Sequence, residues 1–165
     1  MLWLENIGRL LIAFLIQILL VSNLYFLGIV SPFIYIVFLL ALPASLNRLW
    51  LLLIGFATGA LMDVFGNSPG VHAAACTMIC FVRPYLISRM VQEDDRLTGT
   101  IDSRSLGWEV YIKYVCMLVL FHHAMVFMLE AFSFHHFWLT LLQIVLSSAL
   151  TIVLVLAWEL LRSTR

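Results

Sequence analysis

Charge is what this sequence has least of. Asp, Glu, Lys and Arg make up 11% of the 165 residues, against 64% hydrophobic ones, a ratio at which a water-soluble domain would expose large apolar patches. Nine basic residues balance nine acidic ones, so the basic excess that marks a nucleic-acid-binding surface is absent. Cysteine is equally sparse: Cys76, Cys80 and Cys116 all lie in apolar runs, where a thiol packs as a small hydrophobe rather than as half of a disulfide framework. No nucleophile elbow, HExxH, phosphate-binding loop or dinucleotide fingerprint is present, so the residues point to no catalytic centre, cofactor or metal. Internal repeats and low-complexity segments are missing as well.

What the chain does have is apolar runs of membrane-crossing length. They extend over Trp3 to Val21, Leu24 to Leu42, Leu49 to Phe65, Val71 to Met90, Val110 to Phe132 and Phe137 to Leu161, each near the ~20 residues that a bilayer core demands. The expectation is an all-α integral membrane protein, a single transmembrane domain of about six helices. Turn chemistry separates the runs: Ser22-Asn23, Pro43 to Asn47, Gly66 to Gly70, the polar stretch Val91 to Glu109, and Ser133 to His136. Within the first run Arg9 precedes Leu10 to Val21, which passes into Ser22-Asn23-Leu24-Tyr25 without a small-x-small cleavage pattern, so it reads as a retained helix rather than a signal peptide.

Lysine and arginine set the orientation. With six spans, Arg9, Arg48, Arg89, Arg96, Arg104, Lys113, Arg162 and Arg165 lie at or beside one face, and the turns after helices one, three and five carry none. By the positive-inside rule both termini are cytoplasmic. Trp3, Trp50, Trp108, Trp138 and Trp158 sit near segment ends, as interfacial aromatics do. The loop 91–109, with its cluster Glu93-Asp94-Asp95-Arg96, reads from its polarity as a solvated cytoplasmic connector.

One segment departs from generic Leu, Ile, Val and Phe. It begins at Gly55, passes through Gly59, Asp63, Gly66, Pro69 and Gly70, and reaches His72 and Ala75. Gly55 and Gly59 form a small-xxx-small face, and Ala73, Ala74 and Ala75 open the next helix with equally small side chains, so helices three and four should pack as a tight hairpin. At ~1.5 Å per residue from Leu49, Asp63 lies about 21 Å across, in the outer third of the membrane. An ionisable group there is a functional-site candidate. The structural alternative is that Asp63 accepts hydrogen bonds from the backbone of the turn Gly66 to Gly70, with His72 across the turn as its nearest partner.

Arg83 lies about 10 Å from the cytoplasmic end of helix four, too shallow to meet Asp63. Its expected role is to snorkel toward that face or bind an anionic lipid head group, with Pro84 kinking the helix. The pairs His122-His123 and His135-His136 suggest no metal, since adjacent helical residues point about 100° apart. Glu130 and Gln17 read as hydrogen-bonding glue between helices, and Cys76 and Cys80 at i,i+4 as a packing stripe.

The pattern Gly-x-x-x-Gly-x-x-x-Asp-x-Phe-Gly-x-x-Pro-Gly-x-His over Gly55 to His72, followed by Arg83-Pro84-Tyr85, resembles the rod shape-determining protein MreD family. The likeness covers the whole chain in length and hydropathy, and the hairpin in actual residues. It implies a non-enzymatic protein of the bacterial inner membrane that binds the membrane-anchored partner MreC, and through it links MreB filaments to RodA and a penicillin-binding protein in lateral wall synthesis. It also implies a fold similar to the six-helix substrate-binding subunits of energy-coupling-factor transporters. Outer loops this short would leave partner binding to lipid-facing helix surfaces and the turn Gly66 to Val71.

Two other classes compete. A vitamin-type binding subunit of a transporter would use the intramembrane groups Asp63, His122 and Glu130. An intramembrane hydrolase would need a nucleophile and base within reach, for which Ser147 or Ser148 with His122 or His123 offers only a paper arrangement.

Overall fold

The computed structural model describes residues 8, 12, 14–17, 30–91, 99–131 and 137–163. Their helices are α1 (Ile36–Leu40), α2 (Arg48–Gly66), α3 (Val71–Met90), α4 (Ser103–Leu106), α5 (Trp108–Ala131) and α6 (Phe137–Ser163). Four of these, α2, α3, α5 and α6, are long and apolar enough to cross a membrane. The chain is an all-helical membrane protein. An isolated antiparallel bridge joins Pro43 and Thr100.

Antiparallel α2 and α3 form one tight pair and α5 and α6 a second, with α3 packed on α5. The short helix α1 lies between them, and all five of its residues are buried. One side of the segment places Tyr35, Phe38 and Leu39 with Cys76, Cys80 and Phe127. The other places Ile36, Val37 and Leu40 with Ile79, Tyr114 and Val119. The centre of the bundle is therefore occupied by the least regular part of the chain.

The second expected span is where sequence and structure part. Over 30–42 the described chain is no continuous helix: residues 31–33 are irregular, a turn follows, and helix lasts only from Ile36 to Leu40. Pro32 supplies one cause, having no N–H and biasing Ser31 toward extended backbone. The other cause is that side chains from distant helices take over the backbone bonding. The Ser31 and Phe33 N–H groups donate to Ser147 Oγ (3.0 Å) and Thr151 Oγ1 (3.1 Å). Gln17 accepts from Ile34 N (2.7 Å) and donates to the Pro32 carbonyl (3.2 Å).

Elsewhere boundaries agree within two residues, with α5 starting at Trp108 rather than Val110 and α6 running to Ser163 rather than Leu161. The expected first span, residues 24–29 of the second, the cluster Glu93 to Arg96 and the His135-His136 pair lie largely or wholly outside the described residues.

The loop before α5 is not the solvated connector its polarity suggests, at least from Gly99 onward. Ala44 N donates to the Gly99 carbonyl (3.1 Å), and Ile101 is buried. Asp102 caps α4 through a capping box with Ser105. Its carboxylate pairs with Arg162 at 2.6 Å. Buried Glu159 accepts from both the N–H (2.9 Å) and the hydroxyl (2.7 Å) of Ser103. Arg104 donates to the Ser163 carbonyl at 2.5 Å. The loop is latched onto the last turn of α6.

Burial works against the charge on Asp102, but hydrogen bonds from Arg162 and Ser105 outweigh it and hold the carboxyl below the usual aspartate range. A depressed folded-state pKa stabilises above the unfolded value, and the gain is lost as pH falls through the folded one. Wild type should therefore melt above Asp102→Asn at neutral pH, and the gap should close on acidification below about pH 4. Equal melting temperatures at neutral pH, measured in one detergent, would refute this role.

Candidate functional site

The hairpin α2–α3 brings together most of the residues singled out by spacing. A Cβ placed on Gly55 would lie 2.6 Å from Cys80 Sγ and 2.9 Å from the Cys76 carbonyl oxygen. One placed on Gly59 would run into the His72 carbonyl and Ala73 Cα, both backbone, so nothing there moves cheaply. Only glycine permits this approach.

Asp63 closes the hairpin. Helix α2 ends at Gly66 with Asn67 in the left-handed region (φ 50°), and α3 begins after Gly70 (φ 86°), which has no side chain to cap the helix with. The unpaired first N–H groups of α3 need an acceptor, and the neighbouring helix supplies it. Asp63 Oδ1 accepts from His72 N at 2.8 Å and Ser68 Oγ at 3.1 Å, while Oδ2 accepts from Ala73 N at 3.0 Å and Gly70 N at 3.1 Å. Four donors and the positive end of the α3 dipole converge on one buried carboxylate. Pro69 occupies the turn between Ser68 and Gly70, and Gly66 faces Ser68, whose Oγ would lie 3.2 Å from an added Cβ. Asp63 thus serves as an N-cap donated across the hairpin.

The side chain of His72 goes elsewhere. Its Nδ1 lies 2.9 Å from the Tyr35 hydroxyl, which also meets His122 Nε2 at 2.7 Å. Tyr35 has one proton, so it donates to one imidazole and accepts from the other. Cys76 Sγ approaches the same hydroxyl at 3.6 Å and His122 Nε2 at 3.8 Å. The Phe33 ring packs against His72, His122 and His123, with centroids 5.0, 5.6 and 5.0 Å away. A carbonyl only accepts, so His123 carries its proton on Nδ1, which donates to Val119 O at 2.9 Å; its Nε2 then accepts from Thr151 at 3.1 Å. His122 Nδ1 and Ser148 Oγ, both buried, have no partner among the described residues.

Arg83 is placed differently from expectation. It is 1% exposed and reaches neither lipid nor the end of the bundle. Its Nε donates to Tyr114 Oη at 2.7 Å, and Nη2 donates to the carbonyls of Leu40 (3.3 Å) and Leu42. Tyr114 also donates to Leu40 O at 3.0 Å. The guanidinium is held inward by the carbonyls at the end of α1, one of which it shares with Tyr114. Asp63 and Arg83 share no partner.

Sequence reasoning passed over Tyr35, Tyr114, Thr151 and Glu159. Glu159 could have been found as a carboxylate within an apolar span, but the others look like ordinary span residues. Glu130 is exposed and makes no hydrogen bond among the described residues, whereas Gln17 bridges the irregular segment.

No protein-family model, curated protein or solved structure matches the chain.

Gly59→Ala should cost about 1–3 kcal/mol by overpacking, while Gly99→Ala, which meets open space, should be near neutral. Asp63→Asn, isosteric but uncharged, turns an NH2 group toward two of the four donors and leaves them without an acceptor, which should cost about 3 kcal/mol. Thermal unfolding of detergent-purified variants checks all three, and an unperturbed Gly59→Ala would contradict the close approach.

Proposed function

We propose that this protein is a non-catalytic membrane scaffold of the MreD kind, which docks an MreC-like membrane-anchored partner and supports bacterial cell elongation. The observation that carries the reading is the α2–α3 hairpin, whose glycine contact and Asp63 clamp make a rigid turn with Val64 and Phe65 facing outward, 78% and 57% exposed. Apolar groups held on a stiff backbone lose little entropy on docking. The resemblance over Gly55 to His72 adds the partner's identity, and with it RodA, a penicillin-binding protein and MreB filaments as indirect associates. In this reading six segments, the second of them irregular at 31–35, span the inner membrane in an arrangement like energy-coupling-factor binding subunits. Both termini are cytoplasmic, in keeping with the basic residues at one end of the bundle.

A second reading, a small-molecule binding subunit, draws on the irregular segment 30–35 inside the bundle. Interrupted helices at membrane depth are typical of transporter binding sites, and the unpartnered His122 Nδ1 and Ser148 Oγ lie in this interior. Specific stabilisation by a water-soluble vitamin in a thermal-shift screen would favour it over the scaffold.

Co-expression with an MreC-type partner and mild-detergent pull-down tests the scaffold. Wild type should co-purify, and Val64→Ser/Phe65→Ser, which leaves the Asp63 clamp intact, should lower recovery about tenfold, as loss of a central apolar contact would. Absence of co-purification with wild type would overturn the reading.

A further inference from the structure

The end of the α2–α3 hairpin opposite Asp63 carries a cation held in an unusual way. Arg48, exposed at the start of α2, lies over the ring of Phe81, 4.7 Å from its centroid, and over that of Tyr85 at 4.9 Å. Its Nη2 donates to the Tyr85 hydroxyl at 2.8 Å. Two aromatic faces and one hydrogen bond fix the plane of a side chain that is otherwise among the most mobile. The remaining N–H groups of the guanidinium bond no other described residue, and they form the planar donor fork that suits a phosphate. Arg89, also exposed, follows Tyr85 by one helical turn and adds a second positive charge to that face. From Arg48 to Met90 the only carboxylate is Asp63, 15 residues from Arg48, or about 22 Å along the helix.

Beside the cation lies an apolar face. Trp50, Leu53 and Phe56 of α2 and Met78 and Phe81 of α3 are each more than 40% exposed. In a membrane-embedded hairpin this places a planar phosphate-binding group at one end of a surface that hydrocarbon must cover.

We infer that the Arg48 end of the hairpin binds an anionic phospholipid, its phosphate accepting hydrogen bonds from Arg48 and its acyl chains lying against the exposed face of α2 and α3. Arg89 provides long-range attraction to the head group. A net-negative lipid is selected over a zwitterionic one because the latter brings its own ammonium to compete for the phosphate. The site depends on neither a partner nor the scaffold role.

The test is native mass spectrometry of the delipidated, detergent-purified full chain, offered equimolar phosphatidylglycerol and phosphatidylethanolamine. Wild type should retain phosphatidylglycerol preferentially. Arg48→Ala should lower the retained ratio about five-fold, the change expected for one basic group at an anionic surface. Phe81→Leu keeps every charge and loses one stacking face, and should lower it about two-fold. Lys113→Ala is the control: Lys113 lies at the same end of the bundle but is engaged by Glu109 at 2.6 Å, and its loss should leave the ratio unchanged. No preference in wild type, an unchanged ratio in Arg48→Ala, or an equal fall in Lys113→Ala would each overturn the proposal. Should Arg48→Ala not fold, Phe81→Leu decides alone: an unchanged ratio overturns it.

Discussion

A peptide group left unbonded in hydrocarbon costs several kcal/mol, and this protein carries a stretch of non-helical backbone through the middle of its bundle. Five buried side chains answer to that constraint. Gln17, Ser147 and Thr151 bond the peptide groups of residues 31–34. Arg83 and Tyr114 take the carbonyls that α1 leaves open at its end. Each of these partners stands on a different part of the chain, so the segment is stable only once the bundle has closed around it. Both hydrophobic clusters of the bundle in turn include residues of α1.

Asp63 applies the same logic at the turn. Gly70 starts α3 with no capping side chain, and a carboxylate from α2 accepts the orphan N–H groups. The glycine contact makes this reach possible, because only bare backbone at Gly55 and Gly59 brings α2 near enough to the first turn of α3. Small residues and buried charge are therefore one device. His72 connects it to the interior, with its N–H on Asp63 and its ring on Tyr35, which also meets His122.

The two ends of the hairpin differ in what they offer the outside. The Asp63 end is stiff backbone with Val64 and Phe65 presented outward, suited to docking another apolar surface. At the other end a guanidinium lies stacked on the rings of Phe81 and Tyr85. Here the loop 99–107 is also latched to α6, so the charges at this end fall into two groups. Asp102, Glu159 and Arg162 are used up internally, whereas Arg48 faces outward.

Membrane residence, the four long helices and the hairpin were legible from sequence because each rests on a local property. A run of about 20 apolar residues has few alternatives in lipid, and the spacing Gly55, Gly59, Asp63, Gly70 places its groups on adjoining turns. The structural alternative for Asp63, an acceptor for the turn, was legible for the same reason. What lay beyond reach were contacts between residues far apart in the chain. Apolar content alone read 24–42 as one more span, but Ser147 and Thr151, more than 110 residues away, bond the irregular backbone of Ser31 and Phe33. Depth alone sent Arg83 toward the head groups, but the Leu40 and Leu42 carbonyls, more than 40 residues earlier, hold it inside. Sequence by itself determined which segments must leave water; tertiary structure decided how the polar groups among them are satisfied, because a hydrogen bond depends on distance in space and not on separation along the chain.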